Sequence, residues 1–149
     1  MSELRKDTAA FLVARVDGAA RGNPGPASYA VILEDAAGNR VAELSGTLGS
    51  ATNNVAEYRA LLAALEYAVG AGARGLEVRT YSELMARQMT GAYRVRNAGL
   101  RPLHERARLL AGRVGEFRIV HVRRAENRDA DRLANEALDA AAAPTEPTG

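Results

Sequence analysis

The stretch "GLEVRTYSELMARQ" (75–88) decides how the chain folds, because its period changes in the middle. Up to Thr80 it alternates, with Val78 and Thr80 on either side of polar Arg79, as a strand does. Ser82 then stands where a helix N-cap belongs, and "ELMARQ" opens a short helix over 82–90 that Gly91 stops. A strand that runs straight into a helix is the unit of α/β proteins. Tyr81 is the residue to explain, a large aromatic at the strand's carboxyl end, where such folds keep their chemistry.

The rest of the chain fits around this unit. Upstream, "FLVARVDG" (11–18), "ASYAVILED" (27–35) and "NRVAELSGTL" (39–48) read as three strands, the last two joined by the hairpin turn "DAAGN". "VAEYRALLAALEYAVGAG" (55–72) is the clearest helix, with Leu61, Leu65 and Ala68 on one face and Arg59 and Glu66 elsewhere. Downstream, Pro102 suits the first turn of a helix over about 102–111. "EFRIVHV" (116–122) is a fifth strand, and "NRDADRLANEALDAAAA" (127–143) a final helix. The order βββαβααβα predicts an α/β fold with a mixed five-stranded sheet and helices on both faces. Residues 1–10 form an N-terminal extension, 11–143 one domain, and "PTEPTG" (144–149) a disordered tail.

Composition narrows the function classes. The chain has 149 residues, enough for one domain with a proper core. It has no cysteine, which excludes disulfides, zinc–thiolate sites and thiol nucleophiles. Neither a membrane-spanning apolar run nor a signal peptide is visible, so a cytoplasmic location is expected. A net charge of +2 is too small to imply nucleic-acid binding by itself. The basic residues cluster, however: Arg94 and Arg96 flank Val95, Arg101, Arg106 and Arg108 follow, and Arg123, Arg124 and Arg128 come later. Arginine suits bidentate phosphate contact, although solvated helix faces would account for the clusters equally well.

Three acids sit where a structural role alone is awkward. Asp17 ends an apolar first strand, close to buried surface, though Asp-Gly is also a common turn pair. Glu57 lies four residues before Leu61 and eight before Leu65, so it faces the core side of its helix. If Asn54 were the N-cap, Glu57 would close a capping box instead. Asp131 shares a face with Ala134, Asn135 and Leu138, with Asp129 as its competitor on a neighbouring face. "GAARGNPGP" lacks the Gly-Lys-Ser/Thr ending of a P-loop and is not a GxGxxG turn.

Taken together, "DGAARGNPGPASYAVIL", "TNNVAEYRALLAALE", "SELMARQMTGAYRVRN" and "NRDADRLANEAL" resemble the successive motifs of the type I ribonuclease H family, in order and spacing, over roughly residues 11–140. The resemblance implies endonucleolytic cleavage of the RNA strand of an RNA/DNA hybrid, with two Mg²⁺ ions (or Mn²⁺) held by carboxylates. Asp17, Glu57 and Asp131 match three of the family's four acids and would be the metal ligands. Small, hard Mg²⁺ prefers such oxygen donors. Asn23, Asn53 and Asn54 match residues that meet the hybrid's minor groove, where short amides can read the 2′-hydroxyl. Gln88 resembles a further base contact. Thr52, Tyr93, Arg94 and Arg96 would bind phosphates of the DNA strand. The partner implied is an RNA/DNA hybrid, bound by a monomer.

The chain also departs from the family pattern. Between Gly91 and Arg101 there is no room for the extra basic helix of some relatives, and neither His104 nor His121 falls where the loop histidine of others would. Arg124, in "RRAE", matches an arginine of relatives without that histidine. The family's strand before "SEL" normally ends in Asp, and here it ends in Tyr81. A neutral phenol is a poor Mg²⁺ ligand, so weakened metal binding and reduced cleavage are expected. Glu83 would be the nearest substitute carboxylate. The alternative is a catalytically impaired module that binds hybrid or double-stranded RNA.

Overall fold

A computed structural model describes residues 10–142. The expected tail and, apart from Ala10, the expected N-terminal extension lie outside the described residues. The elements are β1 (Phe11–Ala20), β2 (Gly25–Asp35), β3 (Arg40–Ala51), α1 (Asn53–Gly70), β4 (Gly75–Thr80), α2 (Glu83–Met89), α3 (Arg101–Arg113), β5 (Glu116–His121) and α4 (Arg128–Ala142). One sheet runs in the order β3-β2-β1-β4-β5. Its first three strands pair antiparallel, while β4 lies parallel to both β1 and β5. This is the mixed sheet expected from the βββαβααβα order.

Alternation along β1 sets the two layers. Leu12, Ala14, Val16 and Gly18 are buried on one face, where Leu61, Leu65 and Ala68 of α1 complete the core with Ala107 and Leu110 of α3. Val13, Arg15 and Asp17 alternate onto the other face. In register there, Asp17 pairs with Ala30 and Arg15 with Ile32. The α4 helix covers this second face: Ser28 Oγ, buried, donates to the Ala134 carbonyl at 2.6 Å. None of the described helices is long and apolar enough to cross a membrane.

Several boundaries differ from the sequence reading: β1 runs on to Ala20, so Asp17 lies within it, β2 starts at Gly25, and three further differences have local reasons. Helix α1 begins at Asn53 because Thr52 is its N-cap, its Oγ1 accepting from the Val55 N–H at 3.2 Å. The capping box of Asn54 with Glu57 is therefore not formed, and Glu57 sits two residues deeper in the helix. Strand β3 continues to Ala51, since β2 pairs with it as far as Gly25↔Ala51. A single 3₁₀ turn, Arg124–Asn127, precedes α4. The end of α2 is as expected: Thr90 caps it and Gly91 turns away at φ +85°.

The strand-to-helix passage after β4 is fixed by two hydroxyls. Buried Thr80 accepts the Ser82 N–H at 2.9 Å, and Ser82 accepts the Met85 N–H at 3.2 Å. With its neighbours so held, Tyr81 projects from the end of β4, 44% exposed.

A close approach of two elements lies between β1 and α1. A Cβ at Gly18 would stand 2.3 Å from the carbonyl carbon of Ala56 and 2.3 Å from the Glu57 nitrogen. Both are backbone atoms, so relief would require the helix to move. Gly18→Ala is expected to cost about 3 kcal/mol, at the upper end for overpacking. Urea denaturation of the two proteins measures it, and an unchanged midpoint would contradict this packing.

Candidate active site

The parallel pairing of β1 with β4 ends at Val16↔Thr80. Asp17 and Tyr81 are thus the next residues on neighbouring strands, at the rim where strands β4 and β5 stop. They open a cleft of about 410 Å³, to which α1 contributes Glu57, the 3₁₀ turn Arg124 and Asn127, and α4 Asp131. This is the carboxyl-end crevice in which open α/β sheets bind ligands.

Each carboxylate has a different setting. Glu57 is buried, and its Oε1 accepts the Gly18 N–H. Burial raises its pKa, the Gly18 N–H opposes that, the charge of Asp131 adds to the rise, and the result is about 7. Asp17, half-buried, is pushed to about 8, first by burial and then by the charges of Glu57 and Asp131, while Arg124 pulls the other way. Asp131 is exposed in the first turn of α4. Asp129 points elsewhere, to Arg40 and Arg132 at 3.2 and 3.3 Å.

Besides Ala19 and Ala20, the remaining side chains of the cleft carry polar groups, and one is cationic. Asn127 is buried, its Nδ2 donating to the Val16 carbonyl at 2.8 Å, while its Oδ1 is buried without a hydrogen-bond partner. The Arg124 guanidinium lies over the Tyr81 ring, 5.0 Å from its centroid. The His121 ring flanks Tyr81 at 6.1 Å, tilted by 42°. Glu83, the candidate substitute carboxylate, is exposed, bonds Arg87 at 3.0 Å and does not line this cleft.

The other residues singled out from sequence fall into two groups. Asn23, Thr52, Asn53 and Asn54 gather at the start of α1. There Asn23 Oδ1 accepts the Asn53 N–H at 3.0 Å, and Asn53 also lines the carboxylate cleft. Gln88, Tyr93 and Arg94 line a second cleft of about 460 Å³ between α2 and α3, together with Arg101, His104 and Arg108. Gln88 itself is buried and accepts from the Tyr58 hydroxyl at 2.7 Å, so its side chain works inside the fold. Arg87 lies over the Tyr93 ring at 5.4 Å, and Arg96 is exposed in the segment before α3. Sequence reasoning missed Asn127. Its one signal was a place four residues before Asp131, on the same side of the helix start.

Among the described residues, no three carboxylate or imidazole groups form a ready-made metal cage. The donor chemistry still suits a hard divalent cation. Asp17, Glu57 and Asp131 meet in one cleft and repel one another there, and the unpartnered Asn127 oxygen could accept from a cation's water.

Comparison with known proteins agrees with this geometry. The reverse transcriptase-like family model matches residues 15–137. The chain is 50% identical over 123 residues to ribonuclease HI of Halobacterium salinarum, covering 83% of this chain and 62% of that protein. It belongs to the type I ribonuclease H family. The bifunctional protein Rv2228c of Mycobacterium tuberculosis is 45% identical over 132 residues, 88% of this chain and 36% of that protein. The chain therefore spans under two thirds of the length of these relatives. The solved ribonuclease H1 of H. salinarum superposes with a TM-score of 0.84 at 48% identity, covering 87% of this chain and 98% of that one. LC11 ribonuclease H1, solved with an RNA/DNA hybrid, gives 0.84 at 42% identity, over 89% of this chain and 99% of that one. In this chain the residue beside Asp17 at the end of β4 is Tyr81.

The raised pKa values set a pH dependence for the metal-free protein. Asp17 and Glu57 hold protons more tightly folded than unfolded, where they titrate near 4. Their contribution to stability is fully present below about pH 4 and lost as pH rises through about 7 and 8. In chelator, native protein should therefore lose more stability between pH 5 and pH 9 than Asp17→Asn. Urea midpoints at both pH values test this, and parallel losses would sink it.

Proposed function

We propose that this chain is an endoribonuclease that cleaves the RNA strand of RNA/DNA hybrids by metal-assisted phosphodiester hydrolysis. The observation that carries the reading is the convergence of Asp17, Glu57 and Asp131 in one cleft of a ribonuclease H fold. These three carboxylates would hold Mg²⁺, or Mn²⁺ in its place, and two ions are the number the family relationship suggests. When bound, such ions supply Lewis acidity toward the phosphodiester and its attacking water. Loading them displaces the protons that Asp17 and Glu57 retain, so the enzyme should work better at mildly alkaline pH.

Substrate handling falls to groups on either side of the carboxylates. Asn23, Asn53 and Asn54 would meet the minor groove, where exposed 2′-hydroxyls distinguish RNA from DNA. Thr52, Tyr93, Arg94 and Arg96 would position the duplex through DNA-strand phosphates, and Arg124 would take a phosphate at the cleft itself. Gln88 could join them only by leaving its bond to Tyr58. The reading includes action as a monomer in the cytoplasm.

Tyr81 favours a second reading, a hybrid-binding module with little turnover. The cleft has one carboxylate fewer than the family pattern, and Glu83 does not fill the place. A labelled hybrid incubated with Mg²⁺ or Mn²⁺ separates the two. Under the nuclease reading the native chain cleaves it and Asp17→Asn abolishes cleavage. Restoring the acid with Tyr81→Asp should raise the rate on the order of tenfold or more. Absence of cleavage by the native chain, with cleavage restored in Tyr81→Asp, would favour the binding module instead.

A further inference from the structure

Arg124 is held in an unusual way. Its 3₁₀ turn is tied to β1 twice, through its backbone by Arg15 Nη1 donating to the Glu126 carbonyl at 2.6 Å and through a side chain by Asn127 Nδ2 donating to the Val16 carbonyl at 2.8 Å. Its side chain, by contrast, forms no ion pair among the described residues. The described contact that directs it is the Tyr81 ring, 5.0 Å below the guanidinium carbon. The ring is itself steadied by His121 on β5. Tyr81 and Arg124 both line the carboxylate cleft.

The way a guanidinium is held decides what it can still bind. A carboxylate partner would occupy its N–H donors directly. An aromatic face attracts the cation through the ring quadrupole and leaves the donors free at the edges. Those donors form the planar fork that matches phosphate. A neutral phenol also spares an incoming phosphodiester the repulsion that another carboxylate would add.

We propose that Tyr81 is a positioning residue, whose ring holds the Arg124 guanidinium at the carboxylate cleft with its N–H donors free for a phosphate of the RNA/DNA hybrid. The inference deepens the nuclease reading and rests on it for the identity of the ligand. It makes Tyr81 an exchange of function. The chain gives up a metal ligand and gains a fixed cationic contact that needs no metal.

The test is hybrid binding without catalysis. Affinity for a fluorescent RNA/DNA hybrid is measured by anisotropy in chelator over a salt series, with thermal unfolding as the check on folding. Arg124→Ala should weaken binding about tenfold and reduce the salt slope by about 0.9. Tyr81→Leu should weaken it roughly threefold, the size of a partly exposed cation–aromatic contact, while Tyr81→Phe keeps the ring and the affinity. Tyr81→Leu combined with Arg124→Ala should bind no worse than Arg124→Ala alone. Tyr81→Asp should also weaken metal-free binding, because its carboxylate claims the guanidinium. Native affinity in Tyr81→Leu, or losses that multiply in the double variant, would overturn the proposal. Those outcomes leave the nuclease reading standing if hybrid is cleaved with Mg²⁺. A chain that shows the predicted binding pattern yet never cleaves would overturn the nuclease reading alone.

Discussion

The site depends on how closely the first strand meets the first helix. At Gly18 the two backbones touch with no room for a side chain between them. That contact brings the Gly18 N–H onto the Glu57 carboxylate and keeps this acid buried at the rim of the sheet. The neighbouring residue, Asp17, points to the opposite face, because side chains alternate along a strand. One close approach thus fixes two carboxylates on either side of β1. Asp131 reaches the same cleft only because α4 packs on the second face, where Ser28 bonds the Ala134 carbonyl.

Packing acids together in this way costs electrostatic energy. Burial and mutual repulsion push Asp17 to about 8 and Glu57 to about 7, so the metal-free site retains protons where isolated carboxylates would have lost them. Such a cluster is poorly suited to stabilising a fold and well suited to binding a cation that relieves it. Arg124 supplies part of that relief from within the chain, since its charge lowers the pKa of Asp17.

Period and punctuation in the sequence carried most of the architecture. Leu61, Leu65 and Ala68 marked the buried face of α1, Ser82 the start of α2 and Gly91 the turn after it, and each does so in the structure. The capping of α1 was not legible, because Thr52, Asn53 and Asn54 are all good caps and only the register of β3 selects Thr52. The convergence of Asp17, Glu57 and Asp131 was readable only through family resemblance, since no spacing along the chain relates a strand end to two helices. Gln88, matched by resemblance to a base contact, is bonded to the Tyr58 hydroxyl thirty residues away, a partner that no local pattern announces. The stack of Arg124 on Tyr81 likewise joins two loops that no local pattern connects.

Tyr81 acquires its meaning from that stack. Considered alone, it stands where the family resemblance leads one to expect a carboxylate, and a phenol is a poor ligand for a hard metal. Considered with Arg124, it changes both the charge of the cleft and the availability of a guanidinium's donors. A carboxylate at this place would serve a metal and also compete for Arg124; a phenol does neither. In the proposed nuclease the two effects would oppose each other along the reaction: fewer metal ligands would slow the chemical step, while a free cationic fork would strengthen the ground-state hold on phosphate. Binding that is equally strong in ground and transition states lowers KM without raising kcat. Under the proposed nuclease function, a phenol at this place would favour tight, slow handling of a hybrid, a position between a rapid nuclease and a binding module.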